Sequence, residues 1–467
     1  MLSVQIDSGA AHWQIFQREG AAASVALQGS FALHPICSGH VIHSACVLVR
    51  VVREQDNTAV VPWTKAAAAA SDTPFCGGWH IQLSIPQGGL YRIETALDVC
   101  GDAPEVTRLF GGAMRHHLGV GDLFVIAGQS NAAGFGADAA PDAPDLQVHL
   151  FRNCCQWDLA THPMNESTGA DDALNAETGC CGTSPWLTFA KQLLPAAGCP
   201  IGLIQTAMGG QSIDRWDSRV CGDLLDNMLE RIALAGGKVT GILWYQGCTD
   251  AVPGKAETYG EQLCFVMQAI RRAVGEVPIF SMQLNRYLRR DGDDAAWGTL
   301  REQQRLASKQ LPGVFLIPTT DLSLSDYIHN SSSANVLLGL RAAEFCKAVL
   351  YGGQSCFAPD LQSAVMEKDV VTLTFSHCGE GLVVTESALA AKAFVVEDER
   401  GENISILALF DGDASAGRLH LHLAKCPGGH GVISFASGCN PAASCVFDHK
   451  TRIPPLSFFR NVIISPL

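Results

Sequence analysis

Residues 122–136 read DLFVIAGQSNAAGFG, an apolar run that stops abruptly in glycine, glutamine, serine and asparagine. The run Leu123–Ala127 has no polar alternation, so it reads as a strand buried on both faces, as in a parallel sheet. A polar cluster at the end of such a strand marks a site or a turn. Taken alone, Ser130 is a turn residue or a helix cap, because serine after a strand usually is.

The same texture repeats on the C-terminal side. IGLIQTA (201–207), GILWYQ (241–246), PIFSMQL (278–284) and VFLIPTT (314–320) are further candidate strands. Helical stretches lie between or after them: SPWLTFAKQLL (184–194), LLDNMLERIALA (224–235), EQLCFVMQAIRRAV (261–274), LREQQRLASKQL (300–311) and ANVLLGLRAAEFCKAVL (334–350). Apolar strands alternating with amphipathic helices predict an α/β domain over residues 119–353, with a parallel sheet covered on both faces. Residues 1–118 carry short apolar runs such as SACVLVRVV and WHIQLSIP, split by turn-formers including Pro86, Gly88 and Gly89. They predict an N-terminal all-β, sandwich-like module. Residues 354–467, with VVTLTFS, ISILALF and LHLHLA, predict a C-terminal β-rich module.

Composition bounds the function. With 47% hydrophobic and 17% charged residues the chain has the make-up of a packed globular protein. A formal net charge of −14 argues against nucleic acid or an anionic membrane as partner. No apolar run reaches spanning length, and the N-terminal residues show no signal-peptide pattern. The 18 cysteines are scattered, without CxxC pairs at zinc spacing. Most of them read as reduced, buried small hydrophobes, which favours a cytoplasmic protein. His420 and His422 share a strand face without a third ligand in sight, and no metal is expected.

In open parallel sheets ligands sit beyond the carboxyl ends of the strands, and four strand ends here carry unusual polar residues. DLFVIA ends in Gly128-Gln129-Ser130-Asn131, and IGLIQTA in Met208-Gly209-Gly210-Gln211. GILWY ends in Gln246-Gly247-Cys248-Thr249-Asp250, and VFLIPTT runs into Asp321 through His329. One crevice lined this way assembles a hydrolytic site. Ser130 is the candidate nucleophile, His329 its base, and Asp326 the residue that orients the imidazole. The backbone N–H groups of Ser130 and Gly210, with the Gln246 side-chain amide, are the candidate oxyanion donors. Asp321 is a rival for the acid, because it begins the same loop. The G-x-S-x-G elbow is absent, since Asn131 and Ala132 follow Ser130, which argues against a standard α/β-hydrolase.

The blocks GQSNAAG, TAMGGQSIDRW, WYQG and DYIH together resemble the SGNH-hydrolase superfamily, in its sialate O-acetylesterase-like branch of carbohydrate esterases. The resemblance implies a three-layer α/β/α domain with a parallel sheet. It also implies removal of acetyl groups from sugar hydroxyls through an acetyl-enzyme formed on Ser130, without a cofactor. Asp326 and His329 would complete the triad, and Gly210 and Gln246 the oxyanion hole. Gln129, Asn131 and Gln211 are expected to contact the acetylated carbohydrate, and Trp157 and Trp216 to stack on a sugar ring. In one place the chain departs from the pattern: Cys248 stands where the family usually has glutamate after the QG pair, so any substrate-orienting role of that carboxylate is lost or moved to Asp250. Alternative readings are an esterase of xylan or mannan fragments, or a sugar-binding protein without activity. A homo-oligomer is compatible with all of them.

Overall fold

The computed structural model describes residues 3–68, 76–177, 179, 182–413, 416–427 and 431–464. Its central strand, β1 (Arg108–Gly128), is 21 residues long and holds the whole apolar run that ends at Ala127. Six further strands extend it: β2 (Val148–Phe151), β3 (Trp157–Leu159), β4 (Ile201–Gln205), β5 (Gly241–Tyr245), β6 (Ile279–Met282) and β7 (Val314–Ile317). Their order is β3-β2-β4-β1-β5-β6-β7. Every neighbouring pair is parallel except β3 with β2, which is antiparallel.

The chain enters this sheet in its middle, builds the β2–β4 side, then crosses β1 to build the other. The carboxyl end of β1 is therefore the switch point, where neighbouring connections leave in opposite directions and open a crevice. Ser130 lies two residues beyond it.

The strands are apolar on both faces because both faces are covered. Phe124, Ile126, Leu203, Leu243 and Phe280 join one buried cluster with Trp186, Phe189, Leu338 and Phe345. These last four come from helices α2 (Trp186–Ala197) and α6 (Ser332–Leu350). Leu123, Val125, Ile204, Ile242 and Trp244 join a second cluster with Met228, Val266 and Leu300. The partners there come from α3 (Asp223–Leu234), α4 (Tyr259–Val274) and α5 (Asp294–Gln310). Successive residues of each strand thus point into opposite clusters, as pleat geometry requires.

The N-terminal residues form β-structure with one short 3₁₀ turn, Pro35–Cys37. Strands Val4–Ser8, Ala22–Ala32 and Cys76–Pro86, with Ala67–Ala68, make a four-stranded sheet. Strands Ile15–Gln17, Ile42–Arg53, Ala59–Lys65 and Gly88–Gly101 continue the sheet of β1 itself, giving it 11 strands in all. Val25, Leu27, Val49, Leu83, Ile93 and Leu97 are buried in the cluster shared by the two sheets. The boundary expected between residues 118 and 119 falls inside β1.

Asp122 stands near that point and is almost fully buried. Its carboxylate accepts from Arg18 Nε and Nη2 at 2.9 and 2.8 Å, from Tyr351 Oη at 2.7 Å and from Thr240 Oγ1 at 3.2 Å. Burial pushes its pKa up, but Arg18 and Tyr351 outweigh burial and hold it below the usual carboxylate range.

The C-terminal strands, from Asp360–Glu367 to Phe458–Val462, form three small sheets with one short helix, Ser387–Lys392. Arg301 of α5 fastens them to the α/β region. Its fully buried guanidinium donates to the carbonyls of Ala436, Ser437 and Gly438 on one side and of Leu284 and Asn285 on the other. Desolvation pushes this guanidinium down to about 10, because carbonyl dipoles and no carboxylate surround it.

Candidate active site

The turn after β1 depends on one glycine. Gly128 has φ +126°, and a Cβ there would lie 2.2 Å from the Tyr245 carbonyl oxygen, so no other residue fits. Gln129 is extended and Ser130 begins a single helical turn, α1 (Ser130–Ala133). Ser130 Oγ is thereby aimed across the strand ends toward the loop after β7.

That loop carries the expected partners. His329 Nε2 lies 2.9 Å from Ser130 Oγ, and His329 Nδ1 lies 2.7 Å from Asp326 Oδ2. The other carboxylate oxygen of Asp326 accepts from the backbone N–H groups of Ile328 and His329, at 2.8 and 2.7 Å. Partial burial pushes the Asp326 carboxyl up, but these N–H groups and the imidazole outweigh it and hold the pKa below the usual range. Asp321 does not compete. It pairs with Arg341 through both oxygens, at 2.9 and 2.6 Å.

Three amides expected near the chemistry serve the scaffold. Asn131 donates to the Ile328 carbonyl at 3.2 Å and accepts from Asn330 N at 3.0 Å, so it ties α1 to the histidine loop. Gln129 faces the crevice, but its carbonyl accepts from the N–H groups of Gly247 and Thr249, at 3.0 and 3.4 Å. Gln211 donates to the Gly209 carbonyl and accepts from Arg215, each at 2.9 Å.

Gln246 differs from expectation. It is fully buried, with its amide nitrogen donating to Asp250 and to the Gln211 carbonyl while its oxygen accepts from Tyr259 Oη. An amide so engaged has no free N–H for an oxyanion. Asp250 is equally enclosed: it accepts from Ser212 Oγ at 2.6 Å and Ile213 N at 3.0 Å, and burial pushes its carboxyl up. It does not replace the absent glutamate in the crevice. Cys248 does line the crevice, but burial pushes its thiol up to about 12, so it stays protonated. On the backbone, Gly210 has φ +71° with nothing within 4 Å of where its Cβ would be. The neighbouring Gly209 N–H is already taken by Glu177 Oε2, at 2.8 Å.

Ser130 and His329 open into a cavity of about 580 Å³. Its walls include residues that sequence reading missed: Phe135, Glu177, Tyr287, Arg289, Asp291 and Tyr327. Phe135 lies against the His329 ring, with centroids 4.9 Å apart. Tyr287, Arg289 and Asp291 follow β6, a fifth strand end beside the four that were read as lining the crevice. Tyr327 lies between Asp326 and His329 in the DYIH block itself.

Trp157 and Trp216 do not reach this cavity. Trp157 is buried on β3 beside Phe151, with centroids 5.4 Å apart, and Trp216 packs edge-on against Trp244 at 5.1 Å. Both are core, because the strand and the 3₁₀ turn that carry them face the sheet. His420 and His422 have ordinary partners: His422 faces Asp369 at 2.9 Å, and His420 bonds Thr372 at 3.0 Å. Among the described residues, no group of three or more His, Cys, Asp or Glu side chains is arranged to hold a metal ion. No described helix is long and apolar enough to cross a membrane.

A hydroxyl–imidazole–carboxylate chain at the switch point of a parallel sheet is the arrangement of a hydrolase. Residues 120–348 match the family model described as carbohydrate esterase, sialic acid-specific acetylesterase. This segment, just under half of the chain, is similar to that family of carbohydrate esterases, hydrolases that act on acetyl esters. It is 26% identical over 253 residues to a probable carbohydrate esterase of Arabidopsis thaliana, covering 48% of this chain and 88% of that one. Its fold is similar to that of a carbohydrate acetylesterase from Xanthomonas citri, with a TM-score of 0.65 at 20% identity, over 98% of this chain and 99% of the other.

Proposed function

We propose that the protein is a serine carbohydrate O-acetylesterase of the sialate O-acetylesterase-like type, working within an SGNH-type three-layer α/β/α domain. The observation that carries this reading is the Asp326–His329–Ser130 chain, at 2.7 and 2.9 Å, opening into a cavity large enough for a sugar. His329 Nε2 takes the Ser130 proton as Oγ attacks the acetyl carbonyl, while Asp326 stabilises the imidazolium that forms. The tetrahedral oxyanion is received by the backbone N–H groups of Ser130 and Gly210. His329 then returns the proton to the departing sugar hydroxyl, leaving an acetyl group on Ser130. Water activated by the same imidazole releases acetate and restores the serine. No step calls for a cofactor.

Replacing the nucleophile tests this. Ser130→Ala should lower kcat for an aryl acetate by roughly 10⁴-fold or more, with the thermal unfolding midpoint essentially unchanged. Wild-type turnover in that variant would remove Ser130 from the mechanism.

A further inference from the structure

The cavity beside Ser130 has a distinctive wall. The Tyr287 and Trp297 rings stack with centroids 5.4 Å apart and nearly parallel planes, and Tyr327 meets Tyr287 edge-on at 5.8 Å. All three line the cavity, and Tyr327 is 43% exposed, so ring surface is left free next to the reacting serine. Aromatic faces of this kind suit the C–H faces of a pyranose ring.

The charged lining is unbalanced. Glu177, Asp291 and Asp293 bring three carboxylates, against the single guanidinium of Arg289. Arg289 already has company: its Nε is 3.8 Å from Asp291, and the guanidinium lies 5.0 Å over the Tyr327 ring. Arg290, on the same loop as Arg289, does not line the cavity, and three further basic side chains nearby are engaged elsewhere. Arg215 pairs with Asp223 at 2.6 Å, Lys255 with Asp214 at 2.8 Å, and Arg286 donates to the Leu322 carbonyl at 2.8 Å. The carboxylates have their own roles in the wall. Glu177 accepts from the N–H groups of Gly209 and Gly179, Asp293 caps α5 at Ala296 N, and Asp291 accepts from Tyr287 Oη. A substrate carboxylate entering here meets more negative than positive charge at short range.

We propose that this cavity takes an uncharged acetylated sugar, its ring laid against Tyr287 and Tyr327, and disfavours sugars that carry a carboxylate. The inference rests on the esterase reading for the placement of the acetyl group at Ser130. It runs against the sialic acid named in the family description, because sialic acid brings a carboxylate of its own. Tyr327 sets the ring and Asp291 contributes to the exclusion; both act on specificity.

Binding and turnover, measured separately on the full chain, test the two layers of the argument. Calorimetric titration of Ser130→Ala protein compares an O-acetylated methyl xyloside with O-acetylated N-acetylneuraminic acid. The neutral ester should bind roughly tenfold more tightly or better at low salt, and the gap should narrow as salt screens the carboxylates. Asp291→Asn should narrow the same gap, and Tyr327→Ala should raise KM for the xyloside ester more than it lowers kcat. Equal or tighter binding of the carboxylated sugar overturns the inference while leaving aryl acetate hydrolysis, and so the esterase reading, intact. Preferential binding of the neutral sugar by a wild-type protein that hydrolyses no acetate supports the inference and overturns the esterase reading instead.

Discussion

Asp326 grips His329 twice, through the ring Nδ1 and through the backbone N–H of the same residue, and Ile328 N adds a third bond. A carboxylate placed this way fixes both the tautomer and the aim of the imidazole. Asp326→Asn should therefore lower kcat on an aryl acetate by about 10⁴-fold with little loss of stability. Steady-state kinetics would check it, and a loss below tenfold would point to another acid. Asp321→Asn should leave kcat nearly unchanged, since Asp321 serves Arg341. The contact among Ser130, His329 and Asp326 was legible because hydroxyl, imidazole and carboxylate fall together at the polar strand ends. Gln246 was misread for a physical reason: a buried amide must satisfy its donors, and Asp250 four residues on takes one of them. Trp157 and Trp216 show the same limit. A large apolar ring beside a crevice motif is indistinguishable in sequence from one beneath it.

At the scale of elements, the strands with uninterrupted apolar runs were legible and the interrupted ones were not. Strand β2 hides behind His149 in VHLF; that ring is fully buried, with Nδ1 2.6 Å from the Trp13 carbonyl and Nε2 2.9 Å from the Leu146 carbonyl. In the loop after β6 nothing in the run of arginines and aspartates sets it apart from any solvated connection, yet it supplies Tyr287, Arg289 and Asp291 to the cavity. Helix α5 begins at Asp294, six residues before the amphipathic stretch LREQQRLASKQL, capped by Asp293 through Ala296 N at 2.8 Å. The same helix carries Arg301, whose five carbonyl contacts no hydrophobic pattern announces. Arg301→Ala should cost about 3–5 kcal/mol, because several buried carbonyls lose their donor together. Denaturant unfolding measures this, and a change under about 1 kcal/mol would mean that the clamp contributes little.

Across the whole molecule, β1 runs without a break from the N-terminal β-structure into the parallel sheet. The change of texture near residue 118 is real in sequence. It marks where neighbours change from antiparallel strands to parallel ones, and the hydrogen-bonded sheet continues through it. Asp122 ties this junction to Arg18 from the N-terminal residues and to Tyr351 just beyond α6. Its folded pKa is depressed, so its stabilisation is fully present above the ordinary aspartate range near pH 4 and is lost as pH falls through the folded value. Asp122→Asn should therefore cost about 2–3 kcal/mol at pH 7, and the difference from wild type should close below about pH 4. Urea unfolding over a pH series reads this directly, and a gap that persists or widens in acid would contradict the role given to Asp122.

The central claim is that Ser130 carries the acetyl group. An organophosphate offered to the wild-type protein should phosphorylate one serine per chain, found at Ser130 by peptide mass spectrometry, with aryl acetate hydrolysis lost in proportion. Hydrolysis that survives complete labelling, or a label found on another residue as activity disappears, would contradict it.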